Sequence, residues 1–237
     1  WRELLLRTLN EQAVAGKPRL QELRRLVEKT WTGHASVDSV AYRAVRSFRN
    51  FTSDRVLTSL TVACKKVDPG FTTRIGQVEG PLWALVSQRP LHLLDPQYES
   101  WDSLLLAAVD DVLAAWKKMS GSEDMAPRTW GERNTTQIQH PLAGAIPLAG
   151  RWLNVPSRQL PGDQNMPRVQ GPAFGASERL VVSPGQEEKG FFHMPVGQSG
   201  HPLSPYYRAG HEAWEEGRPT PFLPGETEHT LRLVPAG

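Results

Sequence analysis

The chain has 237 residues, of which 39% are hydrophobic and 22% are charged, and its formal net charge is +2. This composition is typical of a globular protein and excludes an intrinsically disordered chain. The small, dispersed positive charge argues against nucleic acid or an anionic membrane as a partner. The sequence has no run of about 18 apolar residues, so we predict no membrane-spanning segment.

The chain begins within a helical pattern and contains a single cysteine. Trp1-Arg2-Glu3 opens an amphipathic stretch without Met, signal peptide or N-cap residue, so we expect a fragment of a longer protein. Cys64 cannot form an intrachain disulfide. Its neighbours predict a half-buried helical position, where it is a packing residue rather than a reactive thiol.

The first half of the sequence has helical periodicity. The pattern predicts helical segments at residues 1–16, 20–27, 36–66, 81–86 and 100–119. Gly16-Lys17-Pro18 ends the first of these. Within the third segment, Thr52-Ser53-Asp54 is interpreted as a break at which Asp54 could cap a second helix.

After Gly121 the pattern changes, because prolines and glycines recur too often for long helices. Short strands are predicted at residues 178–182, 190–194 and 229–234, and one late helix at residues 204–216. The irregular stretch 121–176 is expected to wrap around a partner chain or a missing part of the same subunit. We therefore predict an α+β fold with a helical segment at 1–120 and a loop- and strand-rich segment at 121–237, forming one structural unit of a larger protein.

Several side chains invite a catalytic interpretation, and each has a simpler one. Ser199 lies in Gly197-Gln198-Ser199-Gly200, which lacks the Gly-x-Ser-x-Gly spacing of a nucleophile elbow, so a tight loop is favoured. His211-Glu212 starts a zinc-protease motif, but Glu215 stands where the second histidine is required. We interpret His211 as a partly exposed structural histidine. The recurrence of His193, His201 and His211 is not a metal-ligand spacing.

Two charged groups also have simpler interpretations. Asp110 and Asp111 point about 100° apart on a helix, so a solvated face is favoured over a catalytic carboxylate pair. Arg43, Arg46 and Arg49 share one helical face, which is interpreted as a solvated or ion-paired surface.

An ordered series of motifs across residues 128–222 resembles the penicillin acylase (penicillin amidase) family. The series includes Gly131-Glu132-Arg133-Asn134-Thr135, Gln139-His140-Pro141-Leu142, Pro161-Gly162-Asp163-Gln164-Asn165, Gly171-Pro172-Ala173-Phe174, the run Pro195-Val196-Gly197-Gln198-Ser199-Gly200-His201-Pro202-Leu203-Ser204-Pro205-Tyr206-Tyr207, and then Trp214, Gly217 and Pro221-Phe222. The last run resembles the family's closing Gly-Gly-Gln-Ser-Gly and Ser-Pro-His-Tyr signature.

The resemblance implies an N-terminal-nucleophile hydrolase with a partial αββα fold. Such a precursor cuts itself into two subunits and exposes a serine whose own α-amino group acts as the base. The implied reaction is hydrolysis of the amide bond of an N-acylated small molecule, of the β-lactam side chain or acyl-homoserine lactone type. The family's nucleophile and oxyanion residues lie upstream of the matched region, and Trp1 cannot replace them. We therefore assign no catalytic, cofactor-binding or metal-binding residue to this chain.

The implied partners are the remainder of the catalytic subunit, the smaller subunit of the same precursor and the small-molecule amide, in the periplasm or outside the cell. The chain departs from the family pattern at Val196, His201 and Tyr206. Arg179 lies near the position at which the family usually has an acidic residue. Two alternatives remain open. One is a non-catalytic scaffold or interaction module, and the other is a stand-alone serine hydrolase that uses Ser199.

Overall fold

In the computed structural model, which describes residues 1–72 and 76–235, the chain divides after Arg133 into two units. The first is helical, and the second combines loops, short helical turns and an antiparallel strand pair. The α+β prediction is confirmed at this level. The helical unit extends beyond Gly121 because the turn at Trp130–Arg133 is still held in it: Trp130 donates to Ser39 O at 2.9 Å and Gly131 to Val37 O at 2.8 Å.

The first unit consists of helices packed around α4 and α7. In chain order they are α1 (Arg2–Thr8), α2 (Glu11–Val14), α3 (Pro18–Lys29), α4 (Val40–Leu60), α5 (Val62–Val67), α6 (Glu79–Gln88), α7 (Trp101–Ser120) and α8 (Trp130–Arg133). Ser39 caps α4 and Ser100 caps α7, each accepting a backbone N–H of the first turn at 3.1 Å. Gly121 ends α7 in the left-handed conformation.

The core of this unit is apolar and draws on every long helix. It is formed by buried leucine, valine and aromatic side chains, among them Leu4, Leu23, Phe48, Val56, Leu82, Leu104, Leu105, Val109 and Trp116. The predicted periodicity of residues 100–119 is therefore confirmed, since the residues that keep helical spacing in α7 are those that face the core.

Three sequence predictions for this unit were wrong in detail. The first segment is two helices, because Asn10 accepts Ala13 N–H at 2.9 Å and starts α2. The predicted break at residues 52–54 is absent: Thr52 and Ser53 are buried and α4 continues through them. The break lies instead at Thr61, whose hydroxyl donates to Leu57 O at 2.6 Å. Cys64 is exposed, because α5 buries none of its residues.

The second unit is built from short elements. It contains α9 (Pro141–Ala145), α10 (Gly150–Leu153), β1 (Arg179–Val181), β2 (Phe191–His193) and α11 (His211–Glu216), with 3₁₀ turns at Pro147–Ala149 and Glu187–Lys189. The strands pair antiparallel, with Leu180 opposite Phe192. Both strands lie within the ranges predicted from the sequence.

Two predictions for this unit were wrong. The late helix begins at His211, not at residue 204, because Gly210 has φ 80° and so cannot continue a right-handed helix. The strand predicted at residues 229–234 has no regular structure and finds no partner strand within the described residues. Throughout residues 1–72 and 76–235, no helix combines the length and the apolarity that a membrane span requires.

Candidate functional site

The loop that follows β2 carries the most specific motif of the sequence, Pro195-Val196-Gly197-Gln198-Ser199-Gly200. Gly197 is required sterically, because a Cβ at that position would overlap the carbonyl oxygen of Tyr206. Its φ is not positive, and neither is that of Gly200. Close backbone approach, and not left-handed geometry, is therefore the reason for a glycine at residue 197.

The hydroxyl of Ser199 is bound by backbone. Ser199 Oγ accepts the His201 N–H at 3.2 Å, as predicted for a tight loop. The Nδ1 atom of His201 in turn accepts the Leu203 N–H at 3.2 Å. The loop is thus closed by hydrogen bonds of its own, and neither contact supplies Ser199 with a general base.

His193, the other histidine near Ser199 in sequence, is buried and engaged through both ring nitrogens. Its Nε2 lies 2.6 Å from the carbonyl oxygen of Arg218, which can only accept, so Nε2 carries the proton. Its Nδ1 then accepts from Arg179 Nη1 at 3.1 Å. Both ring nitrogens are therefore engaged, which removes His193 as a base for Ser199.

His211 is buried, not partly exposed as predicted. Its Nδ1 donates to the carbonyl of Pro195 at 2.6 Å, which ties α11 to the motif loop. Its Nε2 lies 3.0 Å from Glu215 Oε1, and both side chains are 4% exposed. The two atoms are close enough for an ion pair but are not aligned for a hydrogen bond. Glu215 thus lies against His211 one turn further along α11, at the position where a zinc protease has its second histidine.

A buried polar cluster lies behind this loop, centred on Trp214. The Trp214 carbonyl accepts from Arg179 Nη1 and from Gln170 Nε2, each at 3.0 Å. The indole N–H donates to Ala176 O at 2.9 Å, and the Arg179 guanidinium lies 5.6 Å from the indole ring centroid. Burial, and then the charge of Arg168, lower the pKa of Arg179 below its ordinary value.

Sequence reasoning missed this cluster, although it had singled out neighbouring positions. Arg168 donates to the Glu215 carbonyl at 2.6 Å and Asn134 Nδ2 to the carbonyls of Leu160, Gly162 and Gln170 at 2.9, 3.2 and 3.3 Å. Asn134 belongs to one of the motifs quoted above, and Gln170 directly precedes another. The motif residue Asn134 thus holds backbone segments that are distant from it in sequence.

Two concave surfaces are lined by motif residues. A cavity of about 220 Å³ lies beside the Ser199 loop, between Phe192, Met194, Val196, Gln198 and Ala209. A more open groove of about 710 Å³ is formed by Gln164, Asn165, Met166, Val169 and Phe174. Asn165 has φ 58°, a conformation that asparagine tolerates better than most residues. No group of three or more His, Cys, Asp or Glu side chains suited to a metal occurs in the described ranges.

The charged groups of the helical unit are structural. Arg49 pairs with Glu79 at 2.5 Å, which confirms the ion-paired interpretation for this residue. Arg43 also forms an ion pair, with Glu132, but it is buried, so the prediction of a surface position was wrong for Arg43. Asp111 is not on a fully solvated face, since its oxygens lie 2.6 and 2.8 Å from Nε and Nη2 of Arg55. This bidentate pair joins α4 to α7.

The sequence pattern of the penicillin amidase family matches residues 2–229. The chain belongs to the penicillin amidase family. Over 258 aligned positions it is also 26% identical to the "Penicillin acylase 2 proenzyme" of Pseudomonas sp. (strain SE83), an alignment that covers 98% of this chain and 31% of that protein. The chain therefore spans less than a third of the length of this relative.

Proposed function

We propose that this chain is the C-terminal part of the catalytic subunit of a penicillin-amidase-like acylase. The observation that carries the proposal is the family match over residues 2–229, which includes both the helical unit and the motif loop. The complete enzyme hydrolyses the amide bond of an N-acylated small molecule, with a β-lactam side chain or an acyl-homoserine lactone as the substrate type. It is periplasmic or secreted.

In the proposed reaction, the serine at the start of the larger subunit attacks the amide carbonyl and its own α-amino group takes the proton. Donors at an oxyanion hole stabilise the tetrahedral intermediate, the amine leaves, and water hydrolyses the acyl-enzyme. We place this serine outside the present chain. The geometry supports that placement, since the hydroxyl of Ser199 accepts a backbone N–H and both nitrogens of His193 are engaged elsewhere.

The proposed role of this chain is to complete the folded enzyme around the upstream nucleophile, as a partial αββα fold. Its partners are the rest of the catalytic subunit and the smaller subunit. The relative's designation as a proenzyme supports a precursor that is cut into such subunits. The chain itself then contributes no catalytic, cofactor-binding or metal-binding residue.

Covalent labelling of the complete protein tests the proposal. The full coding sequence is expressed and treated with phenylmethylsulfonyl fluoride, and the labelled peptide is found by mass spectrometry. We expect a single adduct, on a serine at the new N-terminus of the larger subunit, together with loss of hydrolysis of N-acyl substrates. Ser199→Ala in the complete protein should retain kcat/KM within about twofold.

An adduct on Ser199, or loss of activity in the Ser199→Ala protein, would revive the stand-alone serine hydrolase. A complete protein that is neither cut nor labelled would instead favour a non-catalytic scaffold. The second candidate has one observation in its favour: the buried side chains of Gln170, Arg179 and His211 are hydrogen-bonded to the chain's own backbone, as a purely structural role requires.

A further inference from the structure

The turns between residues 141 and 153 form a small apolar surface that covers no core. Neither α9 nor α10 buries a single residue. Four large side chains of this segment are instead exposed, and we call them the 142–152 patch: Leu142, Ile146, Leu148 and Trp152. Leu148, the most open of them, is 83% exposed.

Hydrogen bonds, rather than packing of these side chains, hold the segment in place. Tyr207 Oη donates to Leu153 O at 2.8 Å, and Arg208 Nη2 donates to Trp152 O at 2.8 Å and to Asn154 O at 2.5 Å. At the other end, the His140 N–H donates to Asn154 Oδ1 at 3.0 Å. The backbone is thus fixed while the apolar side chains point away from the chain's own interior.

The chemistry of the patch indicates a protein partner. Residues 134–150 contain no Asp, Glu, Lys or Arg, although these make up 22% of the chain. An exposed apolar surface of this kind marks an interaction site, and depletion of charge at its centre is typical of the core of a protein interface. At its margin, the Arg151 guanidinium lies 3.7 Å from the Trp152 ring centroid. Arg151 makes no ion pair with a described residue, so the surface offers a cation for a carboxylate of the partner.

We propose that the 142–152 patch is the docking surface for the part of the same acylase that lies outside this chain. The inference rests on the proposed function. The chain covers only 31% of its relative, so more than half of such a protein is available to cover the patch. The occupant is a mainly apolar protein surface that carries one acidic side chain at the position facing Arg151. A membrane is disfavoured, because a membrane-binding surface presents several free basic side chains at its margin. Here the Arg208 guanidinium is hydrogen-bonded to the carbonyls of Trp152 and Asn154, and the Arg151 guanidinium is stacked on Trp152.

Substitutions in the complete protein test this inference. Leu148→Asp is compared with Leu231→Asp, which places the same charge on an equally open leucine (85% exposed) outside the patch. We expect Leu148→Asp to lower the midpoint of thermal unfolding by at least about 2 °C and Leu231→Asp to leave it unchanged. Hydroxyl-radical oxidation should modify Trp152 at least about fivefold more slowly in the complete protein than after denaturation, because the partner surface covers the ring.

Equal unfolding midpoints for the two variants, with Trp152 oxidised as fast as in the denatured protein, would overturn the proposal. A dimer that Leu148→Asp converts to a monomer would assign the patch to a second copy and would also overturn it. Binding of the parent protein to anionic vesicles, lost in Leu148→Asp, would assign it to a membrane. Hydrolysis of N-acyl substrates is measured separately on the unmutated protein, so failure of the proposed function is distinguished from failure of the docking surface.

Discussion

The two units of the chain are stabilised by different means. The helical unit buries a continuous apolar core that extends from Leu4 to Met125. In the described part of the second unit, the fully buried apolar side chains are Leu160 and Trp214, and the other buried side chains are polar or charged. In the second unit, where few apolar side chains are buried, buried polar side chains such as Asn134 and Gln170 instead hydrogen-bond backbone carbonyls.

Removal of Trp214 should have the largest effect and tests most directly whether the two units are stabilised by different means. Trp214→Ala leaves a cavity and removes the ring beside Arg179, at a cost of about 3–5 kcal/mol. Leu105→Ala in the helical unit should cost a similar amount, about 2–5 kcal/mol, by loss of apolar burial alone. Hydrogen exchange should then show lost protection around β1 and β2 in the first variant and in α4 and α7 in the second. The same set of exposed amides in both variants would contradict a difference between the units.

A smaller effect on the free energy of unfolding should distinguish buried polar side chains that are hydrogen-bonded from those that are not. Asn134→Ala removes the donor to three carbonyls and should lower the free energy of unfolding by about 1–3 kcal/mol. Thr52 is also buried, but its Oγ1 has no hydrogen-bond partner among the described residues. Thr52→Val should therefore leave stability unchanged or raise it by up to about 1 kcal/mol. Denaturant titration measures the free energy of unfolding of both variants. An equal decrease in both would show that hydrogen bonding of buried polar side chains does not distinguish the second unit from the first.

The smallest effect is electrostatic and lies in the helical unit. Burial of the Glu79 carboxyl favours its protonated form, but hydrogen bonds from Trp1 and Arg49 outweigh this and lower its pKa below the ordinary value. A lowered folded-state pKa means that the ionised carboxylate adds stability above pH 4.5, its ordinary pKa, and that this stability is lost as the pH falls toward the folded-state pKa.

Glu79→Gln should accordingly cost less than about 1 kcal/mol at neutral pH, since the side chain is half exposed, and the difference from the parent should shrink as the pH falls below 4.5. Unfolding free energies at neutral and acid pH measure both quantities. Glu99→Gln, at an exposed glutamate, is the control. A difference that grows on acidification would contradict the assigned direction of the pKa shift.

The same contrast explains which features the sequence could predict. The helices were predictable because burial along α7 repeats with the helical period, as at Leu104, Leu105 and Ala108. The contacts of Asn134 were not, since its three acceptors lie 26 to 36 residues away and no local pattern marks them. The motif loop was recognised by its residues, yet the interpretation of His211 missed its burial, because that depends on Pro195 from a different segment.

The close approach at Gly197 limits how this motif can vary. Since the Tyr206 carbonyl oxygen occupies the space of a side chain, glycine is the one residue that fits at position 197 in this backbone. Gly200, three residues on, does not have a positive φ, and a Cβ added there would meet no other atom within 4 Å, so other residues fit at this position. Val196 already shows that a neighbouring position accepts a bulky side chain. The two glycines of this motif therefore differ in what a substitution implies. In a relative, another residue at position 197 would indicate a different loop conformation, whereas another residue at position 200 is compatible with the same backbone.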